Sequence, residues 1–152
     1  MFRFQPITPE VIADLLPRLR DIDRLELSCM VQGDPAAALE RMADRARRST
    51  AAYMDGDLVG IMGVSAASIV SETGCPWALV TDAIDRPAVR REFLAQGRVA
   101  LDWLGGDFRR LWNIVSEENA TAIRWLKWMG FAFTGRDVML QGHRFLHFEK
   151  EV

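Results

Sequence analysis

The chain has little from which a metal centre or a disulfide framework is built: two cysteines and two histidines among 152 residues. Cys29 and Cys75 allow one bridge at most, no CxxC or His-Cys cluster accompanies them, and both are expected to be reduced and partly buried. His143 and His147 flank Phe145 on a strand-like run with no companion thiol, so they read as a surface pair and no metal is expected. Long apolar runs are also missing. Ser65, Ser68 and Ser71 interrupt the most hydrophobic stretch, short of the roughly 18 residues that a membrane span needs. Phe2-Arg3-Phe4-Gln5-Pro6 lacks the apolar core of a secretory signal, so an intracellular setting is expected. Charge of one sign is scarce as well: 19 Lys and Arg against 21 Asp and Glu give a net −2, which argues against nucleic acid as a partner recognised by bulk charge.

What is present is enough for one core. With 49% hydrophobic and 26% charged residues, residues 1–152 are expected to form a single domain, without repeats or linkers. Phe2 to Ile7 alternates as a strand, and Thr8-Pro9-Glu10 supplies a cap, a proline at the first helical position and an acid in the first turn. Val11, Ile12, Leu15, Leu16 and Leu19 keep helical spacing, with Pro17 expected to kink or split the helix. Asp34-Pro35 restarts a helix to Arg48.

From Thr50 the period becomes that of strands. Asp55-Gly56-Asp57 signals a hairpin, Glu72-Thr73-Gly74 a second turn, and Trp77 to Thr81 a central strand. A helix from about Pro87 to Leu104 places Val89, Phe93, Ala100, Trp103 and Leu104 on one stripe, with Gly97 at its edge permitting close approach. Leu111 to Val115 is another strand. Asn119 caps a helix that ends at Gly130, and two strands, Phe131 to Leu140 and Arg144 to Phe148, close the chain through Gln141-Gly142.

The stretch Asn119-Ala120-Thr121-Ala122-Ile123-Arg124-Trp125-Leu126-Lys127-Trp128-Met129-Gly130-Phe131 resembles the NxxAxxxxxxxGF segment of the GNAT acetyltransferases. The resemblance implies an α/β (α+β) fold: a mixed, mostly antiparallel sheet of six to seven strands flanked by about four helices, in the order β-α-α-β-β-β-α-β-α-β-β. A further likeness covers Leu19 to Glu26, Gly74-Cys75-Pro76-Trp77 and Leu111 to Phe131. It is to short phage proteins with a GNAT-like fold, among them internal virion proteins of T7-like phages. That likeness implies partners among phage virion proteins or host proteins, in the host cytoplasm or the virion.

In GNAT enzymes a glycine-rich loop after the fourth strand holds the pyrophosphate of acetyl-CoA on helix-start amides, as anions generally bind there. The corresponding Asp82-Ala83-Ile84-Asp85-Arg86-Pro87-Ala88-Val89-Arg90 has no glycine, Pro87 removes a donor, and Asp85 is placed to cap the helix with its carboxylate. A phosphate about 4 Å from that acid would meet roughly 4 kcal/mol of repulsion at an effective dielectric of about 20. Arg86, Arg90 and Arg91 are the counterweight: they either grip phosphate as guanidinium forks or solvate the helix start beside Asp85 and Glu92.

Many GNAT enzymes place a proton-donating tyrosine where this chain has Leu126, and Tyr53, the only tyrosine, lies in an early strand. The resemblance leaves Thr81 and Asp82 at the end of the fourth strand, and Ser116, Glu117 and Glu118 after the fifth, as candidate catalytic groups. Val80, Arg86, Arg90, Arg91 and Asn119 are the candidate cofactor contacts, with acetyl-CoA as the cofactor. Trp128, on the helix side opposite Leu126 beside Arg124, is interface material unless the last hairpin covers it.

Three functions are therefore expected to compete. The first is a GNAT-fold protein with a degenerate acyl-CoA site, acting in a virion or as an interaction module. The second is an active N-acyltransferase with Arg86 and Arg90 on phosphate and Asp82 or Glu117 as a water-linked base. The third is a homo-oligomer formed through Trp128 or the hairpin edge.

Overall fold

Prolines and the caps before them decide where helices begin. Thr8 Oγ1 accepts from Val11 N at 3.2 Å ahead of Pro9, and the Asp34 carboxylate accepts from Ala36 N and Ala37 N at 3.3 Å ahead of Pro35. The computed structural model describes residues 1–152. It begins with β1 (Arg3–Gln5), α1 (Pro9–Leu15), α2 (Asp21–Met30), α3 (Pro35–Arg45), β2 (Arg48–Met54), β3 (Asp57–Ser65) and β4 (Thr73–Val80). It continues with α4 (Pro87–Gly105), β5 (Arg110–Ser116), α5 (Ala120–Trp128), β6 (Ala132–Phe133), β7 (Val138–Leu140) and β8 (His143–Glu151). Pro17 splits the first helical run, leaving a 3-10 turn at Leu16–Arg18 before α2, which is why five helices stand where about four were expected.

The sheet order is β1-β2-β3-β4-β5-β8-β6, with β7 also paired to β8, and every pair but β4–β5 is antiparallel. Both two-residue hairpins have the primed geometry: φ is +53° and +78° at Asp55 and Gly56, and +50° and +80° at Gln141 and Gly142. The expected strand Phe131 to Leu140 is broken into β6 and β7. Gly135 takes φ +79° between them, and Thr134 Oγ1 accepts from Arg136 N at 3.3 Å.

The core has two layers. On one side Val11, Ile12, Leu15 and Leu39 from α1 and α3 pack on the register partners Ala51, Ile61 and Leu79. On the other, Leu101, Leu104, Leu126 and Met129 from α4 and α5 pack on Val64, Leu111, Val115 and Phe148. Each such side chain contributes roughly 1.5–3 kcal/mol on full burial. The buried stripe of α4 is Val89, Gly97, Leu101 and Leu104, whereas Trp103, expected inside, is 43% exposed. Gly97 does permit close approach, because a Cβ there would lie 3.3 Å from the Trp125 ring. No helix is long and apolar enough to cross a membrane. Both cysteines are free, and burial pushes the Cys75 thiol up to about 11, which leaves it un-ionised at neutral pH.

Candidate functional site

The parallel pair β4–β5 is in register only at Thr73 with Arg110 and Gly74 with Leu111. Beyond Gly74 the strands part, and Asn113 Nδ2 spans the gap by donating to Pro76 O at 2.7 Å. Strand amides alternate in direction. Thr81 N–H reaches Val59 O at 2.8 Å on the β3 side, so the Val80 N–H points the other way, into the opening.

Two carboxylates of α2 occupy that opening. Asp23 is 4% exposed and accepts from Arg20 Nε at 2.8 Å. One turn on, Glu26 accepts from Asn119 Nδ2 at 2.8 Å and from Ser116 N at 3.4 Å. Burial pushes the Asp23 carboxyl above its ordinary range, with the Arg20 hydrogen bond opposing it. Burial likewise raises Glu26, and the neighbouring charge of Asp23 adds to the rise. On the β5 side a cavity of about 320 Å³ is lined by Ser116, Glu117, Glu118, Met139, His143 and Arg144, and its Ser116 backbone carries Glu26.

Behind β4 the chain makes a 3-10 turn at Asp82–Asp85 and enters α4 with Arg86, not Asp85, at the cap position and with no side-chain cap. The expected closure of this helix start by Asp85 is therefore incorrect. Thr81 captures Ala83 N at 3.2 Å and sets the turn one residue later, while Asp85 turns aside to Arg90 at 3.7 Å. Arg86 reaches Asp57 at 3.0 Å, which Arg18 also holds at 2.7 Å, and Arg91 is exposed. The Arg90–Asp85 pair is more than half exposed on both sides, a class worth about 0–1 kcal/mol.

The structure thus sets Asn119 on the α2 acid Glu26, leaves Val80 at the end of β4, and gathers Arg86, Arg90 and Arg91 at the start of α4. Glu117 lines the cavity and is exposed. Thr81 is 0% exposed and donates to Leu58 O at 2.7 Å, so its hydroxyl is committed to the turn, and Asp82 is drawn to Arg18 at 3.6 Å. Tyr53 lies in β2, two strands from the opening. Trp128, 48% exposed at the far end of α5 from Asn119, stacks under the Arg98 guanidinium at 4.5 Å, and Arg124 is exposed. Asp23 and Glu26 were not singled out from the sequence. The signal was there: Leu19, Asp23 and Leu27 recur every four residues, with an acid in an apolar stripe.

Asn119 does two jobs, since its Oδ1 also accepts from Ala122 N at 3.2 Å. Asn119→Ala is expected to cost about 2.5–4 kcal/mol: about 1 for the cap and about 1.5–3 for the hydrogen bond to the Glu26 carboxylate. Asn119→Ser keeps a cap and should recover about 1 kcal/mol of that loss in urea denaturation; equal losses for the two variants would contradict the double role.

No family model and no curated protein matches the chain. Solved structures do. The ribosomal-protein-alanine N-acetyltransferase of Brucella melitensis superposes with a TM-score of 0.70 at 15% identity, covering 99% of each chain. A GCN5-related N-acetyltransferase from Kribbella flavida gives 0.68 at 17% identity over 99% of this chain and 98% of that one. The chain has the GNAT acetyltransferase fold. Spermidine N-acetyltransferase from Vibrio cholerae, solved with CoA and spermine, shares that fold with a TM-score of 0.70 at 12% identity, over 99% of this chain and 95% of its own. In GNAT terms the opening after Gly74 is the gap between the fourth and fifth strands, and the uncapped start of α4 is the end of the loop that follows the fourth.

Proposed function

We propose that the protein is an N-acyltransferase that draws an acyl group from acetyl-CoA or a related thioester and delivers it to an amine. The observation that carries this reading is the start of α4: an uncapped first turn with Arg86, Arg90 and Arg91 around it, directly behind the strand that borders the opening. The residues fit a diphosphate by a different route from a glycine cradle. Unpaired amides and the positive helix end face the anion, and guanidinium forks replace the close backbone approach that glycine would allow. Releasing Arg90 from the exposed Asp85 costs little, and Asp57 keeps Arg18 when Arg86 leaves it.

When bound, acetyl-CoA would supply the thioester whose C–S bond breaks as the amide bond forms. The chain's own part is proton handling and positioning. Glu26, fixed by Asn119 and Ser116, accepts the proton that an ammonium must lose before its nitrogen attacks, and burial, which raises its pKa, makes the carboxylate a stronger base than an exposed glutamate. Glu117 and Glu118 line the neighbouring cavity with His143 and Arg144, and Glu117, which has no cationic partner, is the acid free to meet that cation. Leu126 supplies no acid for the leaving sulfur, which leaves that proton to solvent.

Calorimetry with acetyl-CoA and a thiol-release assay over a panel of primary amines test the proposal. Arg90→Ala should raise the acetyl-CoA Kd at least about tenfold, the equivalent of one charge-assisted contact; an unchanged Kd removes the phosphate grip. A degenerate site serving a virion or interaction role rests on the glycine-free Asp82–Arg90 loop, with Trp128 and Arg124 as its surface, and the neighbours described above are acetyltransferases, none a virion protein.

A further inference from the structure

The cavity at the end of β5 holds charges that the fold does not use. Glu117, the residue after β5, donates its backbone N–H to Arg144 O of β8 at 3.0 Å, so the two residues stand opposite each other across the sheet. Opposite charges facing across two strands ordinarily attract into an ion pair. These two do not: both are exposed, line the same cavity, and have no salt-bridge partner, neither each other nor a third residue. The other ionisable residues of the wall are engaged, with Glu118 Oε2 at 3.6 Å from His143 Nδ1. What stays open in the cavity is one anion and one cation side by side.

Size and lining narrow the guest. At about 320 Å³ the cavity is at the small end of ligand sites, which run from about 300 to 1,000 Å³. Met139, in register with Arg144, is its one apolar wall. A hydrophobic amine would desolvate the charged residues without replacing their water, and a diamine would set its second ammonium against Arg144. A molecule with an ammonium and a carboxylate one carbon apart satisfies both free charges at once. The guanidinium suits the carboxylate, because its fork meets that group through two parallel N–H donors.

We propose that the acyl acceptor is a small α-amino acid, its carboxylate held by Arg144 and its ammonium facing Glu117. Ser116, in the wall of the same cavity, carries the base Glu26 on its backbone N–H. The inference rests on the acyl-transfer reading above and names the acceptor for it. The acceptor nitrogen gives one proton to Glu26 and a second to solvent. The N–C bond forms as the C–S bond breaks, and the sulfur takes its proton from solvent. Arg144 is then a specificity residue, since it distinguishes an amino acid from the same amine without a carboxylate.

The test follows thiol release from acetyl-CoA with each common L-amino acid, the carboxamide of each, and putrescine as acceptors. The best amino acid should exceed its carboxamide in kcat/KM at least about tenfold, as expected of one charge-assisted contact. In Arg144→Gln that advantage should fall at least about tenfold, mostly through KM, and Arg144→Lys, which keeps the charge, should recover part of it. Arg144 is exposed, so neither change disturbs the core. A carboxamide or putrescine used as well as the amino acids, or an advantage that persists in Arg144→Gln, overturns the amino-acid acceptor and leaves acyl transfer standing. No thiol release with any of these acceptors also overturns it, and calorimetry with acetyl-CoA on the same protein then decides whether the acyl-CoA reading falls with it.

Discussion

Glu26→Gln is expected to slow acyl transfer by about 10²- to 10⁴-fold while leaving the protein folded. The amide oxygen of glutamine can still accept from Ser116 N and Asn119 Nδ2, so both contacts that hold the side chain survive and only the ability to take a proton is lost. The same substitution has an opposite-signed effect on stability. Burial holds the native Glu26 carboxyl above its ordinary value of 4.5, so the folded state binds the proton more tightly than the unfolded chain. The resulting stabilisation is full below that value and is lost as pH rises through the raised native one. The melting temperature of Glu26→Gln relative to wild type should therefore climb between pH 4.5 and pH 8, and Asp23, raised by burial from 3.8, acts in the same sense in both proteins. A variant with undiminished transfer, or a difference in melting temperature that falls with pH, would mean that Glu26 is neither the base nor the desolvated group described.

Phe145→Ala is expected to cost about 3–5 kcal/mol, a large part of the roughly 5–15 kcal/mol that holds a domain of this kind folded. Phe145 is 0% exposed in β8 and is the register partner of Ser116, so it sits beside the strand end that carries Glu26 and lines the cavity. Truncation leaves a cavity under that strand end, and its walls can relax only by moving β5, which should weaken activity beyond the loss of folded protein. Urea denaturation measures the first effect, and activity per folded molecule the second. A loss below about 1 kcal/mol would show that the site end of the sheet is not backed by a packed core.

Much of the frame could be read from single residues because the physics there is local. Asp55-Gly56 and Gln141-Gly142 are turns that require positive φ at both positions, Pro9, Pro35 and Pro87 open helices, and Asn119 caps one. What failed depended on neighbours. Whether Asp85 or Arg86 begins α4 is decided by Thr81, which captures Ala83 N and shifts the turn, and no local rule ranks those competitors. A helical wheel puts Trp103 on the same stripe as Leu104, but only the position of the sheet decides that Leu101 is the residue covered. The α2 acids are the instructive case. The place of Asp23 in an apolar stripe was visible, while the role of Glu26 came from Ser116 and Asn119, which lie 90 and 93 residues away.

The account stands on a single cleft that receives an acyl-CoA: its diphosphate at the start of α4 and its acyl end between β4 and β5. Titrating ¹⁵N-labelled protein with acetyl-CoA and following amide shifts tests this most directly. Ala88 and Val89 in the first turn of α4 should move together with Val80 and Ser116 along one saturable curve in the micromolar range. Shifts confined to other surfaces, or none at millimolar acetyl-CoA, would contradict it.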